Sequence, residues 1–219
     1  MEAPGRPEVT WQNEGGGSSD KPDTHAAKDT ERELLAEVRE AERKGTDNLA
    51  LASALYSLAI LRRQQGELAE SERLYRRALE IREREQGPNH PDVATTLNNL
   101  AGLKAAEGNY GAAQLLLERA LAIRQTALGN EHLLTAETLN NLALLYAAQG
   151  KPEAAEPLYL RAIAILEKTE GSRKGELDRV LDNYAALLSE TGRDSEAEKL
   201  EARARVIRAA EGRQTEAPR

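Results

Sequence analysis

Cysteine and phenylalanine are absent from this 219-residue sequence, which holds one Trp, one Met and six Tyr. Without cysteine there is no disulfide scaffold, thiolate metal site, iron–sulfur ligation or Cys nucleophile. With aromatics at 3%, a core must be assembled from Leu, Ala and Ile. Nowhere do about 18 apolar residues run uncharged, so no segment reads as a membrane span. A net charge of -7 argues against an electrostatic hold on nucleic acid or anionic lipid. Residues 1–17 contain no apolar run of the secretory kind, and their acids do not suit a mitochondrial transit segment. These absences lead to the expectation of a soluble, cytoplasmic protein without nucleic-acid or membrane partners.

What the chain does contain is a ruler. Gly45, Gly66, Gly87, Gly108, Gly129, Gly150, Gly171 and Gly192 each follow the last by 21 residues. Each interval fits a helix of roughly 16–18 residues, with Gly as its left-handed C-terminal stop. Alternate intervals differ, so the true period is 42 residues, two helices long. Leu55, Leu97, Leu139 and Leu181 align at that period, as do Ala59, Ala101, Ala143 and Ala185. In the second helix the columns are Leu74, Leu116, Leu158 and Leu200, then Ala78, Ala120, Ala162 and Ala204, and Ile81, Ile123, Ile165 and Ile207. Leu74, Ala78 and Ile81 are spaced i, i+4, i+7, one stripe of an amphipathic helix. The Ala columns mark close helix approaches, where larger residues would overpack.

Around this array, residues 1–29 carry a Gly-Gly-Gly-Ser-Ser run and few branched aliphatics, and read as a disordered arm. The capping-box spacing of Thr30 and Glu33 opens a helix over 30–45 that closes the N-terminal end. Within it Ala36 falls on the Ala78 column and Arg39 on the Ile81 column. Repeats follow at about 48–87, 90–129, 132–171 and 174–211, within a domain spanning 30–211, and residues 212–219 form a polar tail. Glu201, standing where Tyr75 and Tyr159 stand, marks the last repeat as a C-terminal cap.

The run Leu139-Asn140-Asn141-Leu142-Ala143-Leu144-Leu145-Tyr146, followed by Ala155-Glu156-Pro157-Leu158-Tyr159, resembles the tetratricopeptide repeat. The 42-residue length, the doublets Asn98-Asn99 and Asn140-Asn141, and the turn Leu128 to His132 are similar to the kinesin-light-chain type of that repeat. The resemblance covers residues 31–211. It implies an all-α, right-handed solenoid of four antiparallel helix pairs behind one capping helix. Residues 31–44 hold barely two heptads, too few for the long motor-binding segment of a full kinesin light chain.

No phosphate-binding loop, nucleophile elbow, His-Glu-x-x-His or dinucleotide fingerprint occurs. His90 and His132 are one position seen twice, before a first helix, with Pro91 beside His90; this is turn chemistry rather than metal ligation. The expectation is no enzyme, no catalytic residue, no metal and no cofactor.

Asn is a poor mid-helix residue, because its side chain competes for the backbone. Asn99, Asn141 and Asn183 read as structural, bonding into the next repeat. The adjacent column of Tyr56, Asn98, Asn140 and Asp182 lies about 100° round the helix, towards the concave side. The resemblance implies that this Asn grips the amides of an extended peptide, a task suited to a group that both donates and accepts. Arg62, Arg82, Lys104 and Arg124 would make the N-terminal half of the wall basic, and Glu137 and Asp182 the other half acidic. The expected partner is therefore a protein or peptide segment with acidic residues at one end. The positions of a chaperone-carboxylate clamp are occupied here by Tyr56, Ile60, Asn99, Glu137 and Asn141; only Asn99 fits. Trp11, between Glu8 and Glu14, is a candidate occupant of the same groove. The other open reading is a self-association module, joined through its end helices, with no peptide ligand.

Overall fold

The computed structural model of the chain describes residues 24–46, 48–168 and 174–215. Every regular element among them is a helix: α1 (Thr24–Lys44), α2 (Leu49–Gln64), α3 (Leu68–Gln86), α4 (Pro91–Ala106), α5 (Tyr110–Ala127), α6 (Leu133–Ala148), α7 (Pro152–Lys168), α8 (Lys174–Glu190) and α9 (Asp194–Thr215). The described residues up to Ala127 form one compact unit and those from Leu128 onward another. In the first, α2 pairs with α3 and α4 with α5, while α1 lies on α2 and α3 on α4. In the second, α6 pairs with α7 and α8 with α9, and α8 also packs on α7. Both units are helical repeats built from hairpins.

The glycines do two different jobs. Gly66, Gly108, Gly150 and Gly192 stand at the bend inside a hairpin, all with positive φ. There the next residue's N–H reaches a carbonyl five positions back, as Glu67 does to Arg62 at 2.8 Å and Lys151 to Tyr146 at 2.9 Å. This closure satisfies the last carbonyls of the first helix and turns the chain. Gly87 instead has φ 89 and ψ 155 and sends the chain out into a turn between repeats. That turn ends on a histidine cap: Nδ1 of His90 accepts from the Asp92 N–H and Nδ1 of His132 from the Leu134 N–H. Pro91 follows at the first helical position, where a missing N–H costs nothing. Gly171 lies outside the described residues.

The small-residue columns are buried: Ala59, Ala101, Ala143 and Ala185 are closed to solvent, and so are Ala78, Ala120, Ala162 and Ala204. The Leu55, Leu97, Leu139 and Leu181 column is equally closed, each side chain contributing on the order of 1.5–3 kcal/mol by burial. Leu74 is buried too, whereas Leu116, Leu158 and Leu200 are only partly covered.

The N-terminal helix departs from expectation in two ways. It starts at Thr24, six residues before the capping-box position, so Thr30 lies inside it. Ala26, Ala27 and Lys28 are good helix formers that carry the helix backwards into the stretch read as disordered. Its register also differs. Ala36 is exposed, and the residues packed on the first unit's core are Leu34, Leu35, Val38 and Ala41. α1 packs chiefly on α2, with an ion pair from Glu42 to Arg77 of α3, and presents a different stripe from an inner second-type helix. The rest of the arm, Trp11 included, and residues 216–219 of the tail lie outside the described residues.

Candidate functional site

The two Asn columns lie in the middle of first helices, and burial decides how they behave. Asn98, Asn99, Asn140 and Asn141 are almost wholly buried, while Tyr56, Asp182 and Asn183 are half-buried. A buried amide must find partners. Asn99 on α4 donates through Nδ2 to the phenolic oxygen of Tyr56 on α2 at 2.7 Å, and to its own helix at Thr95 O. Asn183 on α8 donates through Nδ2 to Oδ1 of Asn140 on α6 at 3.1 Å. At Asn99 and Asn183 the second column thus reaches the preceding repeat, correcting the expectation that it bonds into the next there. In each case it clasps the first-column residue one period earlier.

Asp182 is the last member of the first column. Its carboxylate is held by Arg208 of α9, which also donates to Asp178 at 3.2 Å. A guanidinium from the last helix therefore does for Asp182 what a following Asn does for Tyr56 and Asn140.

The four candidate cations are embedded in the fold. Arg82 lies 4.7 Å over the Tyr56 ring and donates to Asp92 O at 3.0 Å and Thr96 Oγ1 at 2.8 Å. Arg124 is fully buried and donates to Thr95 Oγ1 at 3.2 Å. Arg62 is ion-paired with Glu31 of α1 at 2.7 Å and with Glu67 at 3.1 Å. Lys104 is paired with Glu72 of α3 at 2.7 Å and with Glu107 at 2.8 Å. Hydrogen bonds from Arg62 and Gln65 hold the Glu31 carboxyl below its usual range, and Lys104 does the same for Glu72. Arg62 and Lys104 each tie a first helix to the second-type helix before it. The expected basic wall is, in the structure, a set of internal ties: Arg62 and Lys104 meet carboxylates, while Arg82 and Arg124 donate to neutral backbone and threonine oxygens.

The second unit has a counterpart that sequence reasoning missed. Tyr184 of α8 donates to Glu156 of α7, and Arg193 places one guanidinium nitrogen 2.9 Å from both Glu156 oxygens. Tyr184 stacks on Tyr159 with centroids 5.6 Å apart. Its hydroxyl pKa is pushed up to about 12, by burial first and then by its bond to Glu156. Glu72 and Glu156 stand two periods apart, so the same columns that located the asparagines could have found them. Reading acids on a helix as solvated faces hid that signal.

Among the described residues no group of three potential metal ligands occurs, and no helix is long and apolar enough to cross a membrane.

The family profile described as tetratricopeptide repeat matches residues 50–126, 116–168 and 134–210. The chain belongs to the tetratricopeptide repeat family. Tetratricopeptide repeat proteins are in general non-enzymatic scaffolds that bind protein partners. Among solved structures, BtubC (BKLC) from P. vanneervenii is similar, at 26% identity and a TM-score of 0.76 over 89% of this chain and 80% of that one. The repeats of a putative kinesin light chain from Podosopora anserina share the fold at 23% identity and a TM-score of 0.69, over 86% and 90% of the two chains. MamA shares it more distantly, at 16% identity and a TM-score of 0.60, over 86% and 94%. The first two match the kinesin-light-chain-like repeat type read from the 42-residue period. No curated protein sequence matches the chain.

Proposed function

We propose that this tetratricopeptide repeat protein is a non-enzymatic scaffold holding an extended segment of a partner against its first helices, with Asn98 and Asn140 meeting the segment's backbone. The observation that carries the reading is the state of Asn140. Its oxygen is taken by Asn183, but its amide protons have only a 3.4 Å contact, to Asn141 Oδ1. That contact is longer than a good N–H···O bond, so the donor has capacity to spare. A peptide carbonyl would use it without any side chain being read. Within the first unit Arg82 and Asn99 fix Tyr56, Arg62 and Lys104 tie neighbouring helices and Arg124 meets Thr95; within the second, Arg208 fixes Asp182.

An acidic segment would have to compete with Glu31, Glu67, Glu72 and Glu107 for Arg62 and Lys104. A preference for acids is accordingly not part of the proposal. Self-association by stacking of the last helix is the weaker reading. The buried positions Tyr159, Ile163 and Leu166 of α7 become Glu201, Arg205 and Arg208 in α9, all exposed. Such charges at the outer face of a terminal repeat oppose further stacking.

The test is selection of dodecamer peptides from a displayed random library, followed by fluorescence polarisation with the best binder. Asn98→Leu and Asn140→Leu combined should leave helicity unchanged and weaken binding by roughly 1–3 kcal/mol, the range for an unmet buried polar group. Selection of no binder, or a double variant that binds as the parent does, would remove the groove reading.

A further inference from the structure

Asn183 lies one repeat beyond the amide it touches, and nothing in the groove reading requires it to meet a ligand. We infer that Asn183 is a positioning residue, which sets the polarity that Asn140 shows to a partner. This rests on the reading that Asn140 meets a peptide backbone. An Asn side chain can present either its oxygen or its amide protons, and the two faces exchange by a half-turn about the last side-chain bond. Left alone, Asn140 could offer either. Asn183 donates through Nδ2 to Asn140 Oδ1 at 3.1 Å, which engages the oxygen, while the NH2 group keeps its 3.4 Å contact to Asn141 Oδ1 and a second proton for another acceptor. The second unit therefore presents a donor at this position, matched to a carbonyl and not to an N–H.

A contact of the same reach forms independently in the first unit. Asn99 donates to the phenolic oxygen of Tyr56 from 43 residues away, the same separation as Asn183 from Asn140. At Asp182, Arg208 of α9 supplies the donor instead. In all three places the first-column residue is fixed through an oxygen by a nitrogen donor.

Reversing the clasp tests this. The substitution Asn183→Asp is nearly isosteric, but the carboxylate it introduces repels the Asn140 oxygen and attracts the amide protons. Asn140 should then turn over and offer an oxygen to the peptide carbonyl. For the fluorescein-labelled dodecamer selected above, Asn183→Asp should weaken binding at least about tenfold, one lost hydrogen bond plus lone-pair repulsion. Asn183→Ala, which frees the amide without reversing it, should cost less than about threefold. Because a carboxylate beside the Asn140 oxygen can also destabilise α8, thermal melts of both variants accompany the binding curves, and the order of affinities is expected with both chains fully folded at the assay temperature. On the parent chain, titration with the dodecamer should move the side-chain amide NMR signals of Asn140 and leave those of Asn183 in place. Parental affinity in Asn183→Asp, equal losses in both variants, or movement confined to Asn183 would overturn the inference. Parental affinity in Asn140→Leu strikes the groove reading itself, so the two failures are distinguishable.

Discussion

Tyr56 on α2 and Asn99 on α4 are 43 residues apart and meet through a 2.7 Å hydrogen bond, with the Arg82 guanidinium over the tyrosine ring. The edge of Tyr75 approaches the same ring at 5.5 Å between centroids. One side chain thus joins two repeats by a hydrogen bond, a cation–π contact and an aromatic contact. Tyr56→Phe removes the first and keeps the other two. Stability should fall by about 0.5–1.5 kcal/mol, since Asn99 keeps its bond to Thr95 O. Tyr56→Asn keeps an acceptor for Asn99 but loses both ring contacts, and should cost more. Urea unfolding midpoints of the two variants check the order.

Tyr75 carries the opposite expectation. Its side chain is fully buried and its hydroxyl has no hydrogen-bond partner among the described residues, as is also true of Tyr159 two periods later. A buried polar group left unmet costs about 1–3 kcal/mol. Tyr75→Phe keeps the ring and removes the liability, so the chain should be as stable as the parent or more so. A measured loss above roughly 0.5 kcal/mol, half a typical hydrogen bond, would mean that an internal water serves the hydroxyl.

The pH dependence follows from the ties between helices. Glu31, Glu72 and Glu156 all titrate below their ordinary value of 4.5 in the folded chain, held there chiefly by Arg62, Lys104 and Tyr184 respectively. A depressed folded pKa gives stability that is present above the unfolded value and lost as pH falls through the folded one. Melting temperature should therefore hold down to about pH 5 and fall below 4.5. On the alkaline side Tyr184 is raised from 10.0 to about 12, so its contribution is present below pH 10 and lost between 10 and 12. Glu156→Gln should flatten part of the acid limb, read by thermal melts across the range.

How far the sequence reveals this molecule depends on what a period can say. It identifies equivalent positions, so the helices, the buried Ala and Leu columns and the histidine caps could be read from spacing alone. A period does not say which neighbour a side chain meets. Asn99 and Asn183 were recognisable as structural, yet the direction of their reach emerges only when the helices are in place. Arg62 and Lys104 share a column, but their carboxylate partners Glu31 and Glu72 do not, being 41 residues apart. Ionic ties of that kind are invisible to an alignment of repeats. At α1 the rule fails for another reason: among the described residues no helix precedes it, and packing chiefly on α2 does not impose the register of an inner helix. Burial is the last gap, because the spacing that places Asn98 and Asn140 towards the inner side does not show that they are almost closed to solvent.

Overpacking an inner helix should act locally. Ala101 and Ala185 share a column and are both buried, Ala101 in the first unit and Ala185 in the second. Leu at either position forces helices apart, at roughly 1–3 kcal/mol. Hydrogen exchange should show Ala101→Leu lowering protection across residues 49–127. Ala185→Leu should do so in α8 and α9 while those residues stay protected. Equal loss everywhere in both variants would contradict the repeat energetics in which each unit depends on its neighbours.

Glycine offers the sharpest contrast, because one substitution should have opposite signs at two sites. Gly150 closes the α6–α7 bend with φ 70, where the N–H of the next residue bonds back to Tyr146. An added Cβ would meet no atom within 4 Å there, so the whole penalty is backbone strain. Left-handed geometry costs a residue with a side chain about 1–2 kcal/mol, and Gly150→Ala should lose about that much. Gly111, by contrast, lies inside α5 with ordinary helical backbone, and an added Cβ meets nothing within 4 Å there either. Alanine at that position removes backbone freedom from the unfolded chain at no steric cost. Gly111→Ala should therefore stabilise by up to about 0.5–1 kcal/mol, towards the lower end because the site is in the first turn. Chemical denaturation of the two variants against the parent decides it: the midpoints should move to opposite sides. If both moved the same way, the bend at Gly150 would not need a left-handed residue, and the 21-residue glycine ruler would lack its physical cause.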